Sequence, residues 1–251
     1  MSKIALRIQN AEEQFSNLFI HLGPFHIMLS YHKALGKFIN GSGSTNVLIV
    51  SEVLSSGSIR TFLDGKYFSR SRKIHPLLSL ALRILHFKGF LEEEKLELDS
   101  LNNVKTFLTS FNNQNDHQML DSSTYEILEN YEAYTADTFS KKHGKTPEIF
   151  LLYTKLVDYY IMMELSIRQA DLEIYKFTLS KISNIFFIMN HQNYAKYLTI
   201  YLDKLENIES SHPGLLNDYK DCTFGIRRTT KPLSRIPIDL TLEQTVNKDA
   251  A

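Results

Sequence analysis

The dipeptide Gly23-Pro24 constrains this chain more than any other feature. It splits a short apolar run, Leu18-Phe19-Ile20-His21-Leu22, from an amphipathic segment that opens at Phe25 and stops at Asn40-Gly41-Ser42-Gly43. Proline has no amide hydrogen and a fixed φ, so it interrupts an extended run and suits the first turn of a helix. Leu18–Asn40 is therefore expected as a strand, a tight turn and a helix with His26 in its first turn. Ile27, Met28, Tyr31, Leu35 and Phe38 recur at helical spacing and mark the buried stripe of that helix. In many α/β proteins such a junction sets side chains at the mouth of a site. Here no alternating series of strands and helices follows, and the strand stands alone.

The remaining periodicities are helical. Lys3–Phe15 reads as a short helix, and Thr45 opens another through NVLIVSEVL. Lys66–Lys73 (KYFSRSRK) reads as a basic, aromatic surface turn, with a new helix starting at His75-Pro76. Leu77–Leu91 is apolar nearly all round and is expected at the centre of the core. Asn112–Asp116 is the most linker-like stretch, which puts any subdomain hinge at 112–120. Thr146-Pro147-Glu148 is a strong helix start. The helix it opens should run to Ile167 and bury Ile149, Leu152, Tyr153, Leu156, Tyr160 and Met163. Phe224–Thr229 looks extended, and Ile238–Asn247 reads as a final helix. The expected fold is mainly α: one irregular multi-helix domain over 1–251, with one or two short strands near 18–22 and 224–229.

Composition narrows the chemistry. Lys+Arg and Asp+Glu both number 28. A chain with no net charge has no overall field to draw in nucleic acid or an anionic membrane, so only a local basic patch could do so. The single cysteine, Cys222, excludes an intramolecular disulfide and a cysteine-rich metal site, and fits an intracellular compartment. The polar N-terminal stretch has no apolar signal core. No run reaches the ~18 apolar residues of a membrane span, so no membrane partner is expected.

Each constellation with possible chemistry has a plainer reading beside it. None of the nine histidines forms the i, i+4 pair with an intervening Glu that a zinc helix needs, and no metal site is expected. There is no Gly-x-Ser-x-Gly elbow. The GSGS string at 41–44 follows a helix, whereas a phosphate loop follows a strand, so it is read as a helix stop. Lys66, Arg70, Arg72 and Lys73 form one basic cluster, and Arg227 and Arg228, with Lys231 and Arg235, form another. Both mix cations with aromatic or extended neighbours and are the candidates for nucleic-acid contact, against the bland reading of solvated turns. Asp239 and Glu243 share a helix face. Such a pair can hold a cation or act as acid and base, or it can be an acidic first turn favoured by the helix dipole.

Four blocks taken together carry a resemblance. They are Leu22-Gly23-Pro24-Phe25-His26 with Met28-Leu29-Ser30-Tyr31 and Gly36; Gly65-Lys66-x-Phe68-x-Arg70 with His75; His191 to Tyr197 (HQNYAKY); and Phe224-Gly225-Ile226-Arg227-Arg228 with Ile236-Pro237-Ile238-Asp239-Leu240 and Glu243-Gln244. The set resembles a multi-copy animal family that looks transposon-derived. Its arrangement is similar to the C-terminal part of DDE-type transposases, with a ribonuclease H-like core and a helical insertion. The resemblance implies that the His26 junction is an edge of that core and that Glu243 stands where the last catalytic acid stands. Glu243, Asp239 and His26 are then relics of a site. Strand transfer of that kind needs three carboxylates around two metal ions. The resemblance places the missing aspartate segment before Lys3 and a glycine-rich extension after Ala251, so the chain is expected to be a fragment. Magnesium is implied only in a full-length parent, and no cofactor or independent catalysis is expected here. DNA is the implied partner. The alternative is an intracellular helical interaction module binding a protein through Tyr153–Met163 and Phe177–Phe187.

Overall fold

The computed structural model describes residues 9, 15, 17–96, 102 and 122–245. Among these residues are eleven helices and one two-stranded antiparallel sheet, the mainly α fold that the periodicities predict. Chain contacts define two compact units, Met1–Pro76 with Leu156–Ala251, and Leu77–Lys155. Most of the expected Lys3–Phe15 helix, the expected hinge at 112–120 and the end of the last helix lie outside the described residues.

In the first unit, Leu18–Leu22 corrects the expectation of a strand: nothing among the described residues pairs with it in a sheet. A single extended run has no ladder partner for its amides, so a short apolar run alone does not make a strand. Its side chains pack instead. Phe19 stands edge-on to Tyr219 and His212 at ring-centre distances of 5.5 and 5.4 Å, and Leu22 is buried.

Helix α1 (Pro24–Ile39) starts at the proline and buries Ile27, Met28, Tyr31, Leu35 and Ile39. Tyr31 donates its hydroxyl to the carbonyl of Leu156 at 2.8 Å. The chain then turns through Gly41 and Gly43, both at positive φ, into α2 (Ser44–Val50) and α3 (Ser56–Leu63). Two glycines fix how closely these pieces meet. A Cβ on Gly36 would stand 2.2 Å from the carbonyl oxygen of Leu63. Gly65 takes φ +67°, and a Cβ there would stand 2.7 Å from the amide nitrogen of Lys33. Larger residues cannot occupy either position without moving backbone.

Helix α4 (Phe68–Glu93) absorbs the basic segment that reads as a turn. Pro76 lies inside it, removing one amide donor without ending it. The turns before the proline are held by burial of Ser71, Ile74 and His75 and by pairing of Arg72 with Glu164. The second half also departs from expectation. Leu77, Leu80, Ile84 and Leu85 are 54, 56, 49 and 63% exposed, so this segment is not a core centre. By length and composition α4 could cross a membrane.

Helices α5 (Ser122–Phe139) and α6 (Lys145–Gln169) follow. α6 buries Tyr153, Leu156, Tyr160 and Met163 as its spacing predicts. Ile149 and Leu152, in its first two turns, are 38 and 40% exposed and leave the predicted stripe. Helix α7 (Leu172–Ile188) is capped by Asp171, whose carboxylate accepts from the Ile174 amide at 2.9 Å. It buries Tyr175, Leu179, Ile182 and Phe186 against α8 (Gln192–Glu206), which offers Leu198, Tyr201 and Leu205. Each such side chain contributes about 1.5–3 kcal/mol on burial. Short helices α9 (Ile208–Ser211) and α10 (Leu215–Lys220) lead to strands β1 (Gly225–Arg227) and β2 (Arg235–Pro237). These pair antiparallel with Ile226 opposite Ile236, which places a strand where 224–229 predicts one. Helix α11 (Ile238–Gln244) closes the described chain.

Candidate functional site

Helix α1 begins without a cap of its own. Gly23 at the N-cap has no side chain to accept from the first free amides. Asp239, in the first turn of α11, fills that role from more than two hundred residues away. One oxygen accepts from the Phe25 amide at 2.9 Å and the other from the His26 amide at 3.1 Å. Gly23 makes room for it: a Cβ there would stand 2.0 Å from Asp239 Oδ2. The φ of Gly23 is −60°, so space rather than backbone freedom requires the glycine. The β1–β2 hairpin delivers α11 to this place, with the Ile238 amide donating to the Phe224 carbonyl at 3.2 Å.

The same carboxylate holds the His26 ring. Nδ1 donates to Asp239 Oδ2 at 2.9 Å, and Nε2 lies 3.6 Å from Glu243 Oε1. His26 is about half exposed, Glu243 somewhat less, and Asp239 is largely covered. The hydrogen bond to Asp239 raises the His26 pKa above its ordinary value; burial opposes this, and the charges of Asp239 and Glu243 add to it. The three relic candidates Glu243, Asp239 and His26 thus meet, with an imidazole bridging two carboxylates at a helix N-terminus. This donor set does not fit a metal ion. Asp239 already accepts three N–H donors, and the His26 ring stands between the acids rather than beside them. Among the described residues no group of three or more His, Cys, Asp or Glu side chains is arranged to hold a metal.

Just before the junction, His21 is neutral. Its Nδ1 lies 2.8 Å from the hydroxyls of both Tyr201 and Tyr219, which are 3.3 Å from each other. Burial lowers its pKa to about 4, with the Asp239 charge a partial offset. The neutral ring shares a hydrogen bond at Nδ1 with this pair of hydroxyls, while Nε2 is buried without a partner among the described residues.

The basic candidates divide. Arg72 is paired: it binds Glu164, which also accepts from Arg168 Nε at 2.9 Å and from the Tyr160 hydroxyl at 3.0 Å. Burial raises the Glu164 pKa, but Arg72 and Arg168 outweigh it and hold the carboxyl below its usual range. Arg72 is thus part of an internal ion cluster, a role its place in a basic run concealed. Lys66 lies 3.4 Å from Asp64 at the surface, and Arg70 reaches Ser58 Oγ at 3.3 Å. Lys73, Arg227 and Arg228 are exposed. Arg72 and Arg235, one from each cluster, border the same small cavity as Leu240 of α11.

Sequence reasoning missed the cap made by Asp239 and the ion cluster around Glu164. A signal for the first existed. A helix that starts Gly-Pro, with no Ser, Thr, Asp or Asn before it, has no local side-chain cap and leaves its first amides open to water or to a carboxylate from elsewhere in the fold.

The chain matches, over residues 3–251, the family described as a domain of unknown function, DUF8702, and is a member of it. No curated protein and no solved structure matches significantly.

Proposed function

We propose that this chain is a transposon-derived protein related to DNA-transposition proteins, acting on DNA by binding and without catalysis of its own. The observation that carries this reading is the meeting of His26, Asp239 and Glu243, drawn from the two ends of the described chain into one contact. The approach of Arg235 to α11, and the exposure of Arg227 and Arg228 on the hairpin, add cations to the same part of the fold. Two carboxylates tied to an imidazole supply fewer acids than two-metal strand transfer requires. The test is fluorescence anisotropy with a labelled DNA duplex, alongside a strand-cleavage assay with magnesium or manganese. Binding that weakens steeply with salt, and in the Arg227→Ala/Arg228→Ala variant, supports the reading. Absence of binding at low salt overturns the DNA part, and metal-dependent cleavage overturns the non-catalytic part.

A second reading, a helical protein-interaction module, draws on exposed apolar side chains. Tyr153, Tyr160 and Met163 are buried and unavailable for it, whereas Phe177 and Phe187 are exposed and Leu77, Leu80, Ile84 and Leu85 form a half-exposed stripe on α4. Sedimentation of the chain and of its Leu80→Glu/Ile84→Glu variant tests it in its simplest form, self-association that the variant abolishes.

A further inference from the structure

The unit Leu77–Lys155 contains a cavity of about 310 Å³ bordered by α4, α5 and the start of α6. Leu82, Leu85 and Gly89 come from one face of α4, being spaced by three and four residues. Pro147, Phe150 and Leu151 come from the first turns of α6, and Tyr134 from α5. No Lys, Arg, Asp or Glu lines it. Small-molecule sites take this form: an apolar wall of a few hundred cubic ångströms with few polar groups that fix orientation.

The polar groups are unequal. His86 has both ring nitrogens engaged, each at 3.0 Å, with Tyr131 Oη and Thr138 Oγ1. The Thr154 hydroxyl donates to the Leu151 carbonyl at 2.8 Å. The Tyr134 hydroxyl has no such engagement with a described residue and lies over Gly89, where a Cβ would stand 2.9 Å from it. The ring is held in place by His143 and His86, at centre distances of 4.5 and 5.0 Å. Burial raises the pKa of this phenol, with the charges of Glu93 and Glu92 contributing, so it remains a hydrogen donor at neutral pH.

We propose that this cavity binds a small neutral ligand with an aromatic or alicyclic body and one hydrogen-bond acceptor. The body lies against Leu82, Leu85 and Phe150, and the acceptor takes the Tyr134 hydroxyl. An organic anion is disfavoured, because the wall offers no cation and two glutamates stand near the phenol. The inference is independent of the DNA reading.

The test uses the full chain and three probes of similar size: 1-tetralone, which has a ketone; tetralin, which lacks it; and 1-naphthoate, which is charged. Carbon-13 methyl spectra are expected to show 1-tetralone shifting the Leu82, Leu85 and Leu151 signals, with 1-naphthoate inert at the same concentration. Tyr134→Phe should weaken 1-tetralone about tenfold, the worth of one buried hydrogen bond, and leave tetralin unchanged. Unchanged tetralin binding also shows that the variant is folded. Gly89→Ala, which displaces the hydroxyl, should reproduce the loss. The proposal is overturned if 1-tetralone shifts none of these methyls at about 1 mM, a concentration that detects even weak sites. It is also overturned if 1-naphthoate binds as well, or if Tyr134→Phe weakens neither or both neutral probes.

Discussion

His26 and His32 stand on the same helix, yet their surroundings shift their pKa values in opposite directions. His26 lies at the α1 N-terminus, half in water, with two carboxylates in reach, and its pKa rises. His32 is fully buried among the rings of Phe68, His75 and Tyr160, at centre distances of 5.4, 5.5 and 4.4 Å. Neither of its ring nitrogens has a hydrogen-bond partner among the described residues. Burial lowers its pKa to about 3, and the nearby Arg72 charge adds to that. His75, stacked on Phe62 at 4.7 Å, is lowered for the same first reason. One imidazole works as a clasp between two carboxylates and the other as an aromatic core residue. The difference is one of solvent and partner, since intrinsic acidity is the same.

The contrast can be broken most directly by truncation. His32→Ala should cost about 3 kcal/mol in urea unfolding at pH 7.5, because it opens a cavity in a packed ring cluster. His26→Ala should cost less than about 1 kcal/mol, because its contacts are solvent-screened. Equal losses would show that burial does not separate the two residues.

Acid should sharpen it. A histidine whose folded pKa is lowered leaves the unfolded chain binding more protons below 6.5, so stability falls as pH drops from there towards the folded value. Each of His21, His32 and His75, buried with a lowered pKa, should add to that loss. His32→Phe keeps the ring and removes the proton site, so its loss of stability between pH 6.5 and 4.5 should be shallower than that of the parent chain. Parallel curves would sink the assignment.

Asp239→Ala removes a tertiary helix cap and the partner of His26 together. A loss of about 1–2 kcal/mol is expected, the cost of deleting a good cap, with the His26 pKa falling back towards 6.5 in an NMR titration. The smallest effect belongs to Glu243→Gln, a few tenths of a kcal/mol that vanishes in high salt. His26 has the opposite sign of pH dependence from His32. Its contribution is complete below 6.5 and is lost as pH rises through its raised folded pKa.

Helix α6 is legible in the chain because most of its buried residues recur at 3.6-residue spacing and because Thr146-Pro147 starts it locally. The glycine stop at 41–43 is equally local, since it needs only a backbone conformation. Asp239 and Glu243 could be put on one helix face from their spacing, and His26 in a first turn from Gly23-Pro24. Their meeting was suggested by resemblance, and only the fold supplies the contact: a hairpin and a side-chain-free Gly23 bring Asp239 onto the α1 amides. Other readings failed where periodicity is blind to partners. Leu18–Leu22 has apolar side chains but no strand to pair with, and Lys66–Lys73 looks like a solvated turn until Glu164 neutralises Arg72. Likewise, the apolar circumference of Leu77–Leu91 reveals nothing of which side is covered. Helix spacing and backbone turns depend on neighbours in sequence, so the chain alone determines them. Caps, ion pairs, protonation and exposure depend on neighbours in space, and only the tertiary structure decides those.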